Sequence, residues 1–309
     1  MAKEKKKAEI SVDEGKHIDF RDQIARNKTK SVLLVVTVFV VFLALGYVIS
    51  LAFPKGDFFI VMIFATFISI FYVWLTYALS DKIALASVGA KEADKRTHFQ
   101  LYSSVENMSI ASGMPMPRVF IMPGKQINAF ATGKDPKSSV ICVTEGALEK
   151  LNKQELEGVI GHEMSHISNY DIRFVTLVAI MVGAISIFSQ IFLRSMFYRS
   201  SNNDRGNGNI IFLVLALVLA ILAPIIVKLV QLAISRKREY MADATAVQFT
   251  RYPPGLIGAL KRIKQDSEPL KVPDAVAPMF FSDTTKQRIA ELFQTHPDIN
   301  KRIRVLEEM

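Results

Sequence analysis

The stretch Gly161-His162-Glu163-Met164-Ser165-His166 decides how the rest of this chain is interpreted. Asn152, with Glu155 three residues later, resembles a capping box, and the apolar spacing after it predicts a helix that runs to about Ser168. Two histidines four positions apart lie on the same face of such a helix, about one turn apart. Both imidazoles can therefore reach one zinc ion, with Glu163 beside them as a candidate general base. The alternative is a pair of polar residues on an exposed helix.

A catalytic zinc site needs a further ligand, because open sites typically use three protein ligands and leave a fourth position for water or substrate. Glu239 and Asp243 are four residues apart, so they share one face of a second helix, predicted over about 228–250. Glu239 offers a carboxylate to the metal, and Asp243 can orient a ligand histidine through its other ring nitrogen. Alone, this pair is more typical of a solvated, salt-bridged helix face. Together with the first motif, it favours a metal site.

Charge is distributed very unevenly along the 309 residues. Four long stretches carry no charged residue, so all 67 charges fall on the other 228 residues, which are about 29% charged. Each stretch is long enough to cross the roughly 30 Å hydrocarbon core as a helix. We therefore predict four membrane-spanning helices, with a buried core hairpin as the alternative for the last two. The stretches are 33–53, 58–79, 174–193 and 210–227.

Basic residues flank the first two uncharged stretches on their outer sides, whereas Lys55 is the only basic residue between them. The positive-inside rule places the N-terminus and the segment after residue 80 in the cytoplasm. The net charge of +9 is thus explained by membrane orientation, and nucleic acid is not an expected partner. A single cysteine, Cys142, excludes an intrachain disulfide and suits a reducing compartment.

The uncharged stretches divide the chain into five segments. Between the two pairs, a helix over 91–112 is followed by short strand-like runs at 118–122, 126–132 and 138–144, the last two joined by a turn at Gly133-Lys134-Asp135-Pro136. Further helices are predicted over 254–266, 284–294 and 298–308, with a loop at 267–282. The predicted segments are a charged cytoplasmic tail (1–32), a transmembrane hairpin (33–79), the first catalytic part with the histidine helix (80–173), a second hairpin (174–227) and the second catalytic part with Glu239 (228–309).

Four motifs, taken together, resemble the HtpX-type membrane zinc proteases, relatives of the type I CAAX prenyl proteases. They are His162-Glu163-Met164-Ser165-His166, Arg238-Glu239-Tyr240-Met241-Ala242-Asp243, Asn128-Ala129-Phe130-Ala131-Thr132-Gly133 and Thr295-His296-Pro297. The resemblance covers roughly residues 30–309. Two features depart from the family pattern. The charged tail is longer than expected, and Asn169-Tyr170-Asp171 replaces a commoner Asn-Gly-Asp.

The resemblance implies a mainly α membrane protein with four transmembrane helices and a zincin-like α+β metalloprotease domain that contains a small antiparallel sheet. It implies one Zn²⁺ per chain, held by His162, His166 and Glu239, with Glu163 catalytic. Asn128, Ala129 and Phe130 would belong to an edge strand that binds the substrate backbone. His296 and Arg302 would stabilise the oxyanion.

The implied activity is zinc-dependent endopeptidase action in stress-related protein quality control. Polypeptide substrates, membrane proteins among them, and the lipid bilayer would be its partners. The implied location is a bacterial or archaeal inner or plasma membrane, with the catalytic domain facing the cytoplasm. The sequence indicates no particular oligomeric state.

Two other classes of function remain open at this point. A non-catalytic membrane adaptor with a structural zinc is one, although structural sites normally use four protein ligands. A metal transporter is the other, although stretches 33–53 and 58–79 contain no ionisable side chain to mark an ion path.

Overall fold

A computed structural model describes residues 20–50, 58–179, 236–266, 270, 272, 276, 279–282 and 297–309 of the chain. Several predictions lie wholly or partly outside these residues: the charged tail before residue 20, the helix over 228–250 before residue 236, much of the loop over 267–282, the helix over 284–294, His296 and most of the second predicted hairpin, whose stretch 174–193 is described only to residue 179.

Two long helices that pack against each other open the structure, α1 (Phe20–Ser50) and α2 (Phe58–Ser87). Helix α1 begins at Phe20, so the last part of the segment predicted as a charged tail is helical. Among the described residues, no single helix has both the length and the apolar composition to cross a bilayer. The two parts of α2, Phe58–Tyr72 and Tyr77–Ser87, reach that length and composition only when they are taken together across a 65° bend. The four predicted spans therefore stay a prediction.

Helix α3 (Phe99–Ser112) is shorter than predicted at its start. The backbone N–H and hydroxyl of Thr97 both donate to the Asp94 carboxylate, and this turn separates the helix from a short strand, β1 (Lys91–Glu92). Side chains such as Asp compete with helical hydrogen bonds in this way, which explains the late start. Gly113 ends α3 in the left-handed conformation at φ 68°, which glycine adopts readily at the end of a helix.

A four-stranded sheet supports the site, in the order β1-β2-β4-β3, with β2 (Arg118–Met122), β3 (Ala129–Thr132) and β4 (Val140–Thr144). The predicted hairpin between β3 and β4 is confirmed, since the two strands pair antiparallel. The prediction of a small antiparallel sheet is wrong for one pair of strands, because β4 returns between β2 and β3 and runs parallel to β2, so the sheet is mixed. Strand β3 is left at the border of the sheet, next to the histidine helix.

The histidine helix is α5 (Lys153–Ser168), which follows the short helix α4 (Glu145–Lys150). The predicted capping box is confirmed, since Asn152 Oδ1 accepts from the Glu155 N–H and the Glu155 carboxylate accepts from the Asn152 N–H. Residues 171–179 continue as helix α6 after a short turn. Helix α5 ends close to its predicted limit and presents its motif to the interior.

Three helices from the C-terminal part complete the core: α7 (Arg236–Thr250), α8 (Pro253–Gln265) and α9 (Ile299–Glu307). Helix α5 packs against α3, α7 and α8 and lies beside β3. Gly158 allows the close approach of α8, because a Cβ there would lie 2.7 Å from the backbone nitrogen of Leu256. The central position of α5 brings its histidines to side chains of α7 and α9.

Candidate metal centre

His162, His166 and Glu239 converge, as their spacing and motif context predict. The Nε2 atoms of the two histidines are 3.2 Å apart, and each lies 3.6 Å from an oxygen of the Glu239 carboxylate. A tetrahedral zinc ion with ligands at about 2.0–2.1 Å separates those ligands by about 3.3 Å. The two 3.6 Å distances end at different oxygens of the carboxylate, and one donor atom from each of the three residues lies within 4.8 Å of the others. These separations are close to those that one zinc ion requires.

The surroundings of these ligands favour a cation. Burial lowers the pKa of His162, but hydrogen bonds to the Asp243 and Glu239 carboxylates outweigh burial and raise this pKa above its ordinary value. The same negative charges that favour a proton on this imidazole favour a bound metal ion in its place. Glu163 is also buried here, next to His162 in the chain. The role of Glu163 as general base stays a prediction.

Asp243 has the contact that the sequence predicts for it. Its Oδ1 lies 2.9 Å from His162 Nδ1, the ring nitrogen on the opposite side from the metal position. Burial raises the pKa of Asp243, yet the Arg302 charge and the His162 hydrogen bond together lower it to about 2. The carboxylate is therefore ionised and fixes which ring nitrogen of His162 faces the metal.

Arg302 contacts the pair of His162 and Asp243 through the Asp243 carboxylate. Its Nε donates to Asp243 Oδ2 at 2.9 Å and its Nη2 donates to Asp243 Oδ1 at 2.7 Å. The Arg302 and Asp243 side chains are each about 1% exposed, so the two residues form a buried ion pair with two hydrogen bonds. The contact shows Arg302 holding Asp243, whereas the predicted oxyanion role stays a prediction.

His166 has a matching carboxylate, Asp171, which the sequence did not identify. Asp171 Oδ2 lies 3.1 Å from His166 Nδ1. Arg238 Nη1 donates to Asp171 Oδ1 at 3.3 Å, and the Asn27 amide of helix α1 donates to the same oxygen at 2.7 Å. The departure Asn169-Tyr170-Asp171 was the only sequence signal near this position. Each ligand histidine thus has its own carboxylate on the far side of the ring.

The predicted substrate strand is present but partly paired with the chain itself. The Phe281 N–H donates to the Ala129 carbonyl at 2.8 Å. The side-chain amide of Asn128 accepts from the Ser282 N–H through Oδ1 and donates to the Ser282 carbonyl through Nδ2, each at 3.1 Å. Phe130 forms a bridge with Phe280 on the same border. The substrate role of Asn128, Ala129 and Phe130 therefore stays a prediction, and the segment 279–282 shapes this border of the site.

Phe281 also forms one wall of the metal centre. Its ring meets the His162 imidazole edge-on at a centroid distance of 4.8 Å, and the Arg302 guanidinium lies 4.8 Å from its centroid. A buried aromatic ring here excludes water from the outer side of His162 and of its ion pair, which strengthens their electrostatic interactions. Sequence reasoning assigned 267–282 to a loop and gave no role to this residue.

This arrangement defines a metallopeptidase of the HExxH class. Two histidines lie one turn apart on a core helix, a glutamate comes from a second helix, and a further glutamate follows the first histidine in the chain. The chain belongs to peptidase family M48, whose sequence model matches residues 95–309. The predicted resemblance is thereby confirmed.

Relatives named as proteases match over nearly their whole length. The "Protease HtpX homolog" of Thermoanaerobacter pseudethanolicus is 44% identical over 292 residues, covering 92% of this chain and 96% of the relative. That of Streptococcus thermophilus is 42% identical over 298 residues, covering 93% and 99%. Among solved structures, the crystal structure of S. mikatae Ste24p matches with a TM-score of 0.47 and 20% identity, covering 93% of this chain and 67% of that one.

Proposed function

We propose that this metallopeptidase is a membrane-associated, zinc-dependent endopeptidase that hydrolyses misfolded or membrane proteins at the cytoplasmic face, as part of protein quality control. The observation that carries the proposal is the convergence of His162, His166 and Glu239, with one donor atom from each within 4.8 Å of the others, and Glu163 follows His162 in the chain. Zinc bound there would supply Lewis-acid activation of a water molecule and of the scissile carbonyl.

The residues around this position divide the remaining work. Glu163 accepts the proton of the attacking water and then delivers it to the nitrogen of the departing amine. Asp243 and Asp171 contact the two imidazoles at Nδ1, which leaves both Nε2 atoms to hold a zinc ion that would bind there. Arg302 keeps Asp243 ionised and in place. We assign oxyanion stabilisation to His296, which precedes helix α9 in the sequence, and substrate-backbone binding to Asn128, Ala129 and Phe130.

The membrane location rests on the sequence and on one surface of α2. Large apolar side chains stand exposed along this helix, including Phe59, Phe64, Phe67 and Trp74. Contiguous apolar surface of this kind marks contact with lipid or another protein. The basic residues that flank the first hairpin favour a cytoplasmic catalytic domain. Reaction of engineered surface cysteines with a membrane-impermeant reagent in intact cells tests this orientation; labelling of the catalytic domain from outside would contradict it.

The test of catalysis is Glu163→Gln in the full chain, purified in detergent. We expect one bound zinc as in the wild type and a loss of casein cleavage of roughly 10²- to 10⁴-fold, because the proton acceptor is missing. Glu157→Gln is the matched control, since this carboxylate lies on the same helix and binds Asn107 away from the centre. Wild-type cleavage by Glu163→Gln would disprove the assignment.

The adaptor alternative makes the opposite prediction for the wild type. A structural zinc site would have four protein ligands, whereas the group found among the described residues has three. Phenanthroline should abolish casein cleavage if the zinc is catalytic. A zinc-loaded wild-type protein that cleaves nothing would favour the adaptor.

A further inference from the structure

Asn27 lies on helix α1, far from the metal ligands in sequence and outside the residues 95–309 that match the peptidase family. It is nevertheless 2% exposed, because this part of α1 packs on the turn between α5 and α6. Lys28 adds a second contact there, with its ammonium group 4.4 Å from the centroid of the Tyr170 ring. Helix α1 is therefore docked directly behind His166.

The Asn27 amide makes two specific hydrogen bonds. Its Nδ2 donates to Asp171 Oδ1 at 2.7 Å and to the carbonyl oxygen of Asn169 at 2.9 Å, so both amide hydrogens are used. The other oxygen of Asp171 faces His166 Nδ1 at 3.1 Å. One carboxylate thus links the amide of α1 to the proposed metal ligand His166, and its orientation depends on the Asn27 amide at 2.7 Å together with the longer contact from Arg238 at 3.3 Å.

We propose that Asn27 is a positioning residue of the metal centre, which makes the N-terminal helix a functional part of the peptidase. The proposal rests on the proposed function, because it requires that His166 binds zinc. Partners that lie behind a metal ligand typically contribute 10- to 100-fold in metal affinity or activity. Asn27 is one hydrogen bond further out than Asp171, so we expect the lower end, roughly tenfold.

Asn27→Asp is the most direct perturbation. It keeps the shape of the side chain but replaces the donor with a carboxylate that faces the Asp171 carboxylate and the Asn169 carbonyl. Asp171 then loses its 2.7 Å hydrogen bond while the Arg238 contact stays at 3.3 Å, and repulsion between the two carboxylates turns Asp171, which weakens its hold on His166. Ser31→Ala is the matched control. Ser31 is equally buried one turn further along α1, and its hydroxyl bonds only within the helix, to the Asn27 carbonyl.

The experiment measures zinc affinity by competition with a chromophoric chelator, together with casein cleavage and the thermal midpoint, for the full chain in detergent. We expect the zinc dissociation constant of Asn27→Asp to rise about tenfold and that of Ser31→Ala to stay within twofold. The visible spectrum of the Co²⁺-substituted protein should change in Asn27→Asp alone, since it reports the ligand field and not stability. A folded Asn27→Asp protein with wild-type zinc affinity overturns the proposal, even if its thermal midpoint falls.

Asn27→Ser carries the same test if Asn27→Asp does not fold, because serine retains one donor. In a background with Asp171→Asn, Asn27→Ser should cause no further loss of zinc affinity, since its effect passes through that carboxylate. Additive losses would overturn the proposal. A wild-type protein that binds no zinc would instead refute the proposed function, so the two failures are distinguishable.

Discussion

Replacing Arg302 with methionine removes one half of the buried ion pair behind His162. Arg302 and Asp243 are joined by two hydrogen bonds of 2.7 and 2.9 Å, and water reaches neither side chain. Methionine fills much of the same volume without a charge. The Asp243 carboxylate would then be left buried, with His162 as its remaining ion-pair partner among the described residues.

The expected loss of stability follows from the cost of breaking a buried ion pair and from the lowered pKa of Asp243. Breaking a buried ion pair from one side costs about 3–5 kcal/mol. The pKa of Asp243 is lowered from 3.8 to about 2, which corresponds to about 2 kcal/mol in favour of its ionised form, and among the influences that lower it the Arg302 charge is the largest. We therefore expect Arg302→Met to lower the free energy of unfolding by about 2–5 kcal/mol.

Lys261→Met is the matched control for this experiment. Lys261 pairs with Glu307 at 3.1 Å and joins α8 to α9, as Asp243 and Arg302 join α7 to α9, but its side chain and that of Glu307 are 55% and 49% exposed. Such pairs contribute about 0–1 kcal/mol. Urea unfolding of both variants, in detergent and without metal, gives the comparison. An Arg302→Met protein that unfolds within 1 kcal/mol of the wild type would refute the electrostatic account of this pair.

Three further predictions concern stability. The pKa of Asp243 in the folded protein lies below its value of 3.8 in the unfolded chain, so its contribution of about 2 kcal/mol is present above about pH 5 and is lost as the pH falls from about 4 to 2. The metal-free wild type should therefore lose more stability than Asp243→Asn between pH 5 and pH 2.5, and equal losses would contradict this. Asn152→Ala removes the capping box of α5 and should cost about 1 kcal/mol in urea unfolding, with an unchanged midpoint as the contrary result. Gly158→Ala should lower the thermal midpoint, because the new Cβ would meet the Leu256 backbone nitrogen at 2.7 Å. Gly161→Ala, with its nearest contact at 3.4 Å, should lower the midpoint less, and the reverse order would show that α8 shifts at little cost to make room for the Cβ.

Local patterns predicted the parts of the centre that lie on single helices. The spacing of His162 and His166 fixes their common face, and the spacing of Glu239 and Asp243 does the same on α7. The capping box located the start of α5, and the glycine-containing turn located the β3–β4 hairpin. In each case, the deciding interaction joins residues close in sequence.

Long-range contacts were not predictable in this way. Asn27 and Asp171 are 144 residues apart, and neither stands in a pattern that indicates the other. The parallel pairing of β2 with β4 was missed for a related reason, since turn residues indicate which consecutive strands pair but not where a third strand inserts. Phe281 lies in a proline-containing segment without regular periodicity, so nothing in its neighbourhood indicated that its ring would pack on His162.

The spread of the metal centre along the chain also has a consequence for biosynthesis. Its parts come from α1, α5, the α5–α6 turn, α7 and α9, and His162 contacts Arg302 across 140 residues. A nascent chain emerges N-terminal end first and cannot form contacts with residues not yet translated. Until Arg302 has left the ribosome, Asp243 lacks its cation and His162 lacks a fixed support. The order of synthesis thus delays assembly of the centre until helix α9 has been made, so an unfinished copy lacks part of its proteolytic site.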